Sequence, residues 1–180
     1  MSEPSTPTAQ FPPATIEAFL RCCDGEWMGL RSRFALDAGL EGENGDEWHS
    51  SERGELVVTY LEPGTGPVGG AGAADSPGGL SLGPKGGAAR QLLFASDGSF
   101  LVAGQLARGQ HQPAQQGTWQ LWPDGSLELT LCAGDTEVTE RIWFTKPNLR
   151  LRSTVENRAD GMPGRASFSS EIRRLSRPAG

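Results

Sequence analysis

Glu140-Arg141-Ile142-Trp143-Phe144-Thr145-Lys146-Pro147-Asn148-Leu149-Arg150-Leu151-Arg152-Ser153-Thr154-Val155 decides the fold. Two alternating stretches flank a Pro-Asn break, the pattern of a β-hairpin in an all-β domain. Side chains on a strand alternate faces, so Arg150, Arg152 and Thr154 share one side, with the two arginines about 7 Å apart. Guanidiniums that close repel unless an anion sits between them. A carboxylate of the chain or a ligand with two acid groups would serve.

Register sets which. A four-residue connection opposes Phe144 to Leu149 and Arg141 to Arg152, an unfavourable like-charge pair. A three-residue connection opposes Phe144 to Asn148 and Glu140 to Arg152, with Arg150 on the diagonal. The second is preferred here because it sets a carboxylate beside both cations. Val138, Ile142 and Phe144 then join that face, which becomes part apolar and part cationic and suits a flat, greasy molecule carrying carboxylates. A solvated strand bearing surface charges is the competing reading of the same pattern.

Outward from this hairpin, the 180 residues make one domain's worth of chain. Only 36% are hydrophobic, and 25 Gly with 13 Pro indicate much loop. A net charge of −6 argues against a nucleic-acid binder. No apolar run approaches the roughly 20 residues of a membrane span, and the start lacks a signal-peptide plan. Three cysteines, two adjacent, give neither a disulfide framework nor zinc spacing, so no metal and a cytoplasmic location are expected. Cys22 and Cys23 read as packing thiols, and His49 and His111 as lone loop residues.

Taken in order, 1–14 is a polar, Pro-rich tail expected to be disordered. Thr15 caps a short helix whose Ile16, Phe19, Leu20 and Cys23 recur at helical spacing. Strands are expected over 26–36, with Trp27, Gly29, Arg31 and Arg33 on one face, and over 55–61, with an acidic turn at 37–46 between them. Residues 62–89 read as a flexible Gly/Pro-rich insertion. Its Gly64-x-Gly66-x-x-Gly69 follows a strand but opens no helix, so a nucleotide site is rejected. Hairpins at 91–103 and 118–131 turn on Asp97-Gly98 and Asp124-Gly125, with a polar loop over 105–116 between them. The opening hairpin follows, and 165–174 is the last strand, with Ser167, Ser169 and Glu171 on one face. Roughly eight short strands after one helix predict a closed antiparallel barrel. With the arginines and Glu171 inward, Leu149, Leu151, Phe168 and Ile172 form an outward apolar band that suggests a protein contact.

Three stretches carry a resemblance: Glu140-Arg141-Ile142-Trp143-Phe144, then Pro147 to Ser153, then Ala166 to Arg174. They are similar to the carboxy-terminal half of the S/U-type phycobiliprotein bilin lyases, and Trp27 to Arg31 resembles that family's early Trp-x-x-x-Arg. The resemblance implies a lipocalin-like antiparallel β-barrel with a short N-terminal helix, a single domain over 15–176 with a tail at 177–180. It implies an open-chain tetrapyrrole substrate (phycocyanobilin or phycoerythrobilin), no prosthetic group, and attachment through a thioether to an acceptor cysteine of a phycobiliprotein subunit. Arg150 and Arg152 would hold the propionates, with Arg31 and Thr154 as further pocket residues. Glu140 and Glu171 would be the catalytic carboxylates, beside the pyrrole N–H groups or, with a raised pKa, delivering a proton. A homodimer, or a heterodimer with a related subunit, is implied as well. After Arg31 the family commonly carries a His pair where this chain has Arg33-Phe34-Ala35, and its mid-chain Trp strand is replaced by Leu92–Phe94. A non-catalytic bilin carrier or partner subunit is therefore the alternative.

Overall fold

Two turns of the same construction frame the centre of the chain. In each, an Asp-Gly step ends on a glycine of positive φ, Gly98 at 86° and Gly125 at 79°, a conformation costly for residues with a Cβ. Asp97 Oδ1 accepts from both the backbone N and Oγ of Ser99, and Asp124 Oδ1 does the same for Ser126. The aspartates thus satisfy backbone donors at the point where each chain reverses.

The computed structural model describes residues 11–35, 49–64, 76–104 and 115–175. The 37–46 turn, Gly66 and Gly69 of the glycine pattern, His111 with most of its loop, and both chain ends lie outside the described residues. Helix α1 (Ile16–Cys23) leads into strands β1 (Gly25–Ala35), β2 (His49–Leu61), β3 (Gly78–Gly83), β4 (Arg90–Phe94) and β5 (Ser99–Gly104). They are followed by β6 (Gln115–Leu121), β7 (Leu127–Ala133), β8 (Thr136–Lys146), β9 (Leu149–Arg158) and β10 (Pro163–Arg173). Every neighbouring pair is antiparallel, and β10 closes on β1, so the sheet is a closed barrel as expected.

Strand β3 corrects the flexible-insertion reading of 62–89 over Gly78–Gly83, while 65–75 lie outside the described residues. Its Leu80 and Leu82 are buried in the core while glycines carry its close approaches. A Cβ on Gly79 would stand 2.6 Å from the Leu92 carbonyl oxygen. Tight packing between β2 and β4 therefore requires the composition that looked like a linker. Strand β2 also starts earlier than expected, at His49, whose ring lies 5.1 Å from Phe34.

Thr15 caps α1 by accepting from the Ala18 N–H. The helix buries Phe19, Leu20 and Cys23 in one end of the barrel, where Phe19 meets Phe144 edge-on at 5.3 Å. Its last carbonyls are satisfied by the barrel: Arg173 donates to Cys22 O and Asp24 O, and Trp27 Nε1 donates to Cys23 O at 2.8 Å. The plug is thus fastened through polar as well as apolar contacts.

Candidate functional site

Alternation on β8, β9 and β10 decides what faces the barrel interior. Across β8 and β9, Phe144 stands opposite Arg150, Ile142 opposite Arg152 and Glu140 opposite Thr154. The connection is the two residues Pro147-Asn148, with a bulge near Thr145. The expected register was therefore wrong by two residues. Because strand faces repeat every two residues, the slip left each side chain on its expected face.

Glu171 organises the centre. Its Oε2 accepts from Arg150 Nε at 2.6 Å, with Arg150 Nη2 also 2.6 Å away, and its Oε1 lies 3.4 Å from Arg152 Nη2. Arg152 Nη1 is 3.3 Å from Glu140 Oε1. Arg150, Arg152, Glu140 and Glu171 thus form one chain of charge across three strands, inside the barrel. Burial opposes charge on Arg152, but the two carboxylates outweigh it and raise its pKa.

Arg150 is the most enclosed of the four, 1% exposed, with its guanidinium 4.4 Å from the centre of the Trp27 ring. Arg173 stacks on the same indole at 4.5 Å. Buried Cys23 lies near Arg150, and desolvation raises its thiol pKa although that cation opposes the shift. The thiol stays protonated at neutral pH, which agrees with its reading as a packing residue.

A cavity of about 480 Å³ opens beside this network, within the range of small-molecule pockets. Trp27, Gly29 and Arg31 of β1, Arg152 of β9, and Ser169 and Glu171 of β10 line one side. The other side is Glu52, Gly54, Glu55 and Leu56 of β2 and the β3–β4 turn through to Arg90. The mouth sits here because β2 pairs with β3 only over Val57–Leu61, leaving its first half apart from that turn. A smaller apolar pocket of about 110 Å³ continues inward between Leu82, Phe94, Leu129 and Ile142, and shares Arg90 and Arg152 with the first.

All six expected site residues face the interior, but they divide. Arg31, Arg152 and Glu171 line the main cavity, and Arg150 and Glu140 line the inner pocket. Thr154 lines a third cavity of about 410 Å³, with Arg31, Arg33 and Arg165. Arg31 donates to Ser167 Oγ at 3.0 Å. Burial and the cations Arg33 and Arg152 lower its pKa. Sequence reasoning missed Arg90 and the whole β3 wall. The available signal was that Arg90 is in phase with Leu92 and Phe94 on an alternating strand.

On the outside, the predicted apolar band is present. Ile172 is 59% exposed and pairs with Met28 of β1, itself 50% exposed, and Leu30 and Phe168 are exposed nearby. Leu149 and Leu151 are half-buried. Among the described residues no His/Cys/Asp/Glu group could hold a metal, and no helix is long and apolar enough to cross a membrane.

Comparison with known proteins points one way. Residues 102–174 match the family model for CpeS-like proteins. A relative in Paulinella chromatophora, chromophore lyase CpcS/CpeS 1, is 40% identical over 178 residues, covering 94% of each chain. Chromophore lyase CpcS/CpeS 2 of Synechococcus sp. (strain JA-3-3Ab) is 45% identical over 78 residues, covering 42% of this chain and 41% of that one. The solved S-type phycobiliprotein lyase CPES from Guillardia theta shares the fold with a TM-score of 0.54 at 17% identity, covering 91% of this chain and 94% of that one.

Proposed function

This chain belongs to the family of CpcS/CpeS chromophore lyases, and on that premise we propose that its barrel holds an open-chain tetrapyrrole and joins it to a cysteine of a phycobiliprotein subunit. The observation that carries this reading is the interior network of two carboxylates and two arginines beside a cavity of about 480 Å³ with apolar depth behind it. An amphipathic pigment needs both environments.

The carboxylates divide the work. Glu171 is gripped through both oxygens, so it is a fixed negative charge suited to accept from pyrrole N–H groups. Glu140 is held through one oxygen and is the better placed to exchange a proton. The acceptor thiol adds across a double bond of the pigment's ring A side chain. Its sulfur bonds to one carbon and a proton returns to the conjugated system, with no leaving group and no change of redox state.

Arg152, Arg31 and Thr154 face the ligand space, while Arg150 acts mainly by holding Glu171 and Trp27 in place. Phycocyanobilin and phycoerythrobilin both have the required chemistry. The three free thiols fit a reducing cytoplasm. The band around Met28 and Ile172 supports a contact with the acceptor or with a second lyase subunit, in a homodimer or heterodimer.

A non-catalytic carrier or partner subunit is the second reading, favoured by Arg33-Phe34 where the family commonly has a His pair. Mixing the purified chain with bilin and an acceptor subunit separates the two. A covalent adduct with a single absorption maximum is the expected product, surviving denaturation. A spectral shift that denaturation reverses, with no adduct above the uncatalysed background, would leave only the carrier.

A further inference from the structure

Every carboxylate around the main cavity is already paired with an arginine. Glu171 is held by Arg150 and Arg152, and Glu140, just behind it, by Arg152. At the rim, Glu52 pairs with Arg33, and Glu55 with Arg174 at 3.4 Å. Two arginines lining the cavity remain, Arg31 and Arg90, and neither has a carboxylate within ion-pair distance among the described residues.

Their positions are complementary. Arg31 rises from β1, bonded through one nitrogen to the neutral Ser167 hydroxyl, with its Nε buried and without a hydrogen-bond partner. Arg90 starts β4, opposite Leu82 of β3 and Gly104 of β5, at the junction of the main cavity with the apolar pocket. In the barrel these strands are separated by β2 and β3, an arc of about 14 Å at the usual strand spacing. Two long cationic side chains on walls so placed can converge on one molecule from two sides.

We propose that Arg90 and Arg31 form a two-point clamp for the paired carboxylates of the bound pigment, with Arg90 the anchor on the β3–β4 side. This rests on the reading of the barrel as a bilin site and assigns the acid groups within it. The arginines of the central network are engaged by protein carboxylates, so the ligand's own acids go to the two that are not. Guanidiniums bind carboxylates bidentately, so the clamp also fixes which way the pigment lies and hence which end ring meets the acceptor thiol.

The test titrates phycocyanobilin and its dimethyl ester into the full chain by absorbance, for wild type, Arg90→Ala and Arg90→Lys. Arg90 is exposed, so the fold should persist, which far-UV circular dichroism and the melting temperature check. Removing one carboxylate anchor is expected to weaken binding of the diacid about tenfold, and lysine should restore part of it. The ester should bind wild type and Arg90→Ala alike. Equal diacid affinity in wild type and Arg90→Ala would overturn the clamp while leaving the bilin site standing. Failure of the wild type to bind either form of the pigment would overturn the bilin reading itself, and the clamp with it.

Discussion

Replacing Glu171 by Gln preserves the shape of the side chain and one acceptor oxygen but deletes the charge that two arginines share. Arg152 keeps Glu140, whereas Arg150 keeps no carboxylate within ion-pair distance among the described residues. Arg150 is 1% exposed and the Glu171 side chain 9%, so solvent screens little of the loss. Breaking a buried pair from one side costs about 3–5 kcal/mol, chiefly because a charge is left uncompensated. In a domain of this size, about 1 kcal/mol moves the melting temperature by about 2–4 °C, so a fall of roughly 6–20 °C is expected. Typical domain stabilities of about 5–15 kcal/mol leave the variant folded and measurable. The assay is thermal and urea denaturation of Glu171→Gln, Arg150→Met and the double variant. Removing both partners should recover much of the loss, giving a coupling of about 1–3 kcal/mol. The exposed Arg33–Glu52 pair is the control, with about 0–1 kcal/mol expected. A Glu171→Gln protein melting within about 2 °C of wild type, a loss below 1 kcal/mol, would refute the idea that this pair holds the interior in place.

Phe19→Ala should cost about 3–5 kcal/mol, since it empties a fully buried site in the plug against Phe144; urea denaturation reads the loss. Gly117→Ala should destabilise by about 1–3 kcal/mol through overpacking, because the new Cβ would stand 2.5 Å from both the Phe100 ring and the Thr130 carbonyl oxygen. Hydrogen bonds from Ser126, aided by Arg141, hold the Asp124 pKa below its usual 3.8. Its contribution is therefore present above the unfolded value and lost as pH falls through the lower folded one. Asp124→Asn should lower the melting temperature at pH 7 and flatten its decline below about pH 4, and equal acid sensitivity in the two proteins would count against the turn assignment. Exposed Cys132 should react first with a thiol reagent, and Cys23 only on unfolding, as labelling with mass spectrometry would show.

The hairpin and the inward faces were legible because a period of two survives errors of detail. Even a register displaced by two residues kept Glu140, Arg150, Arg152 and Thr154 together. The Asp-Gly steps fixed two further hairpins through local chemistry alone. Strand β3 was not legible. Its glycines answer a demand from β2 and β4, which lie far along the chain, so composition there pointed to a linker. Arg90 was missed for the related reason that the cavity's second wall did not exist in the reading until β3 did. The division among the arginines depends on which carboxylate reaches which guanidinium, a matter of ångströms that spacing cannot supply.

Helix α1, wedged in and tied down by Arg173, gives the vessel a sealed floor. If the barrel holds a pigment as proposed, an acceptor thiol has to reach it from a side other than that floor, so the helix also limits where an acceptor can dock.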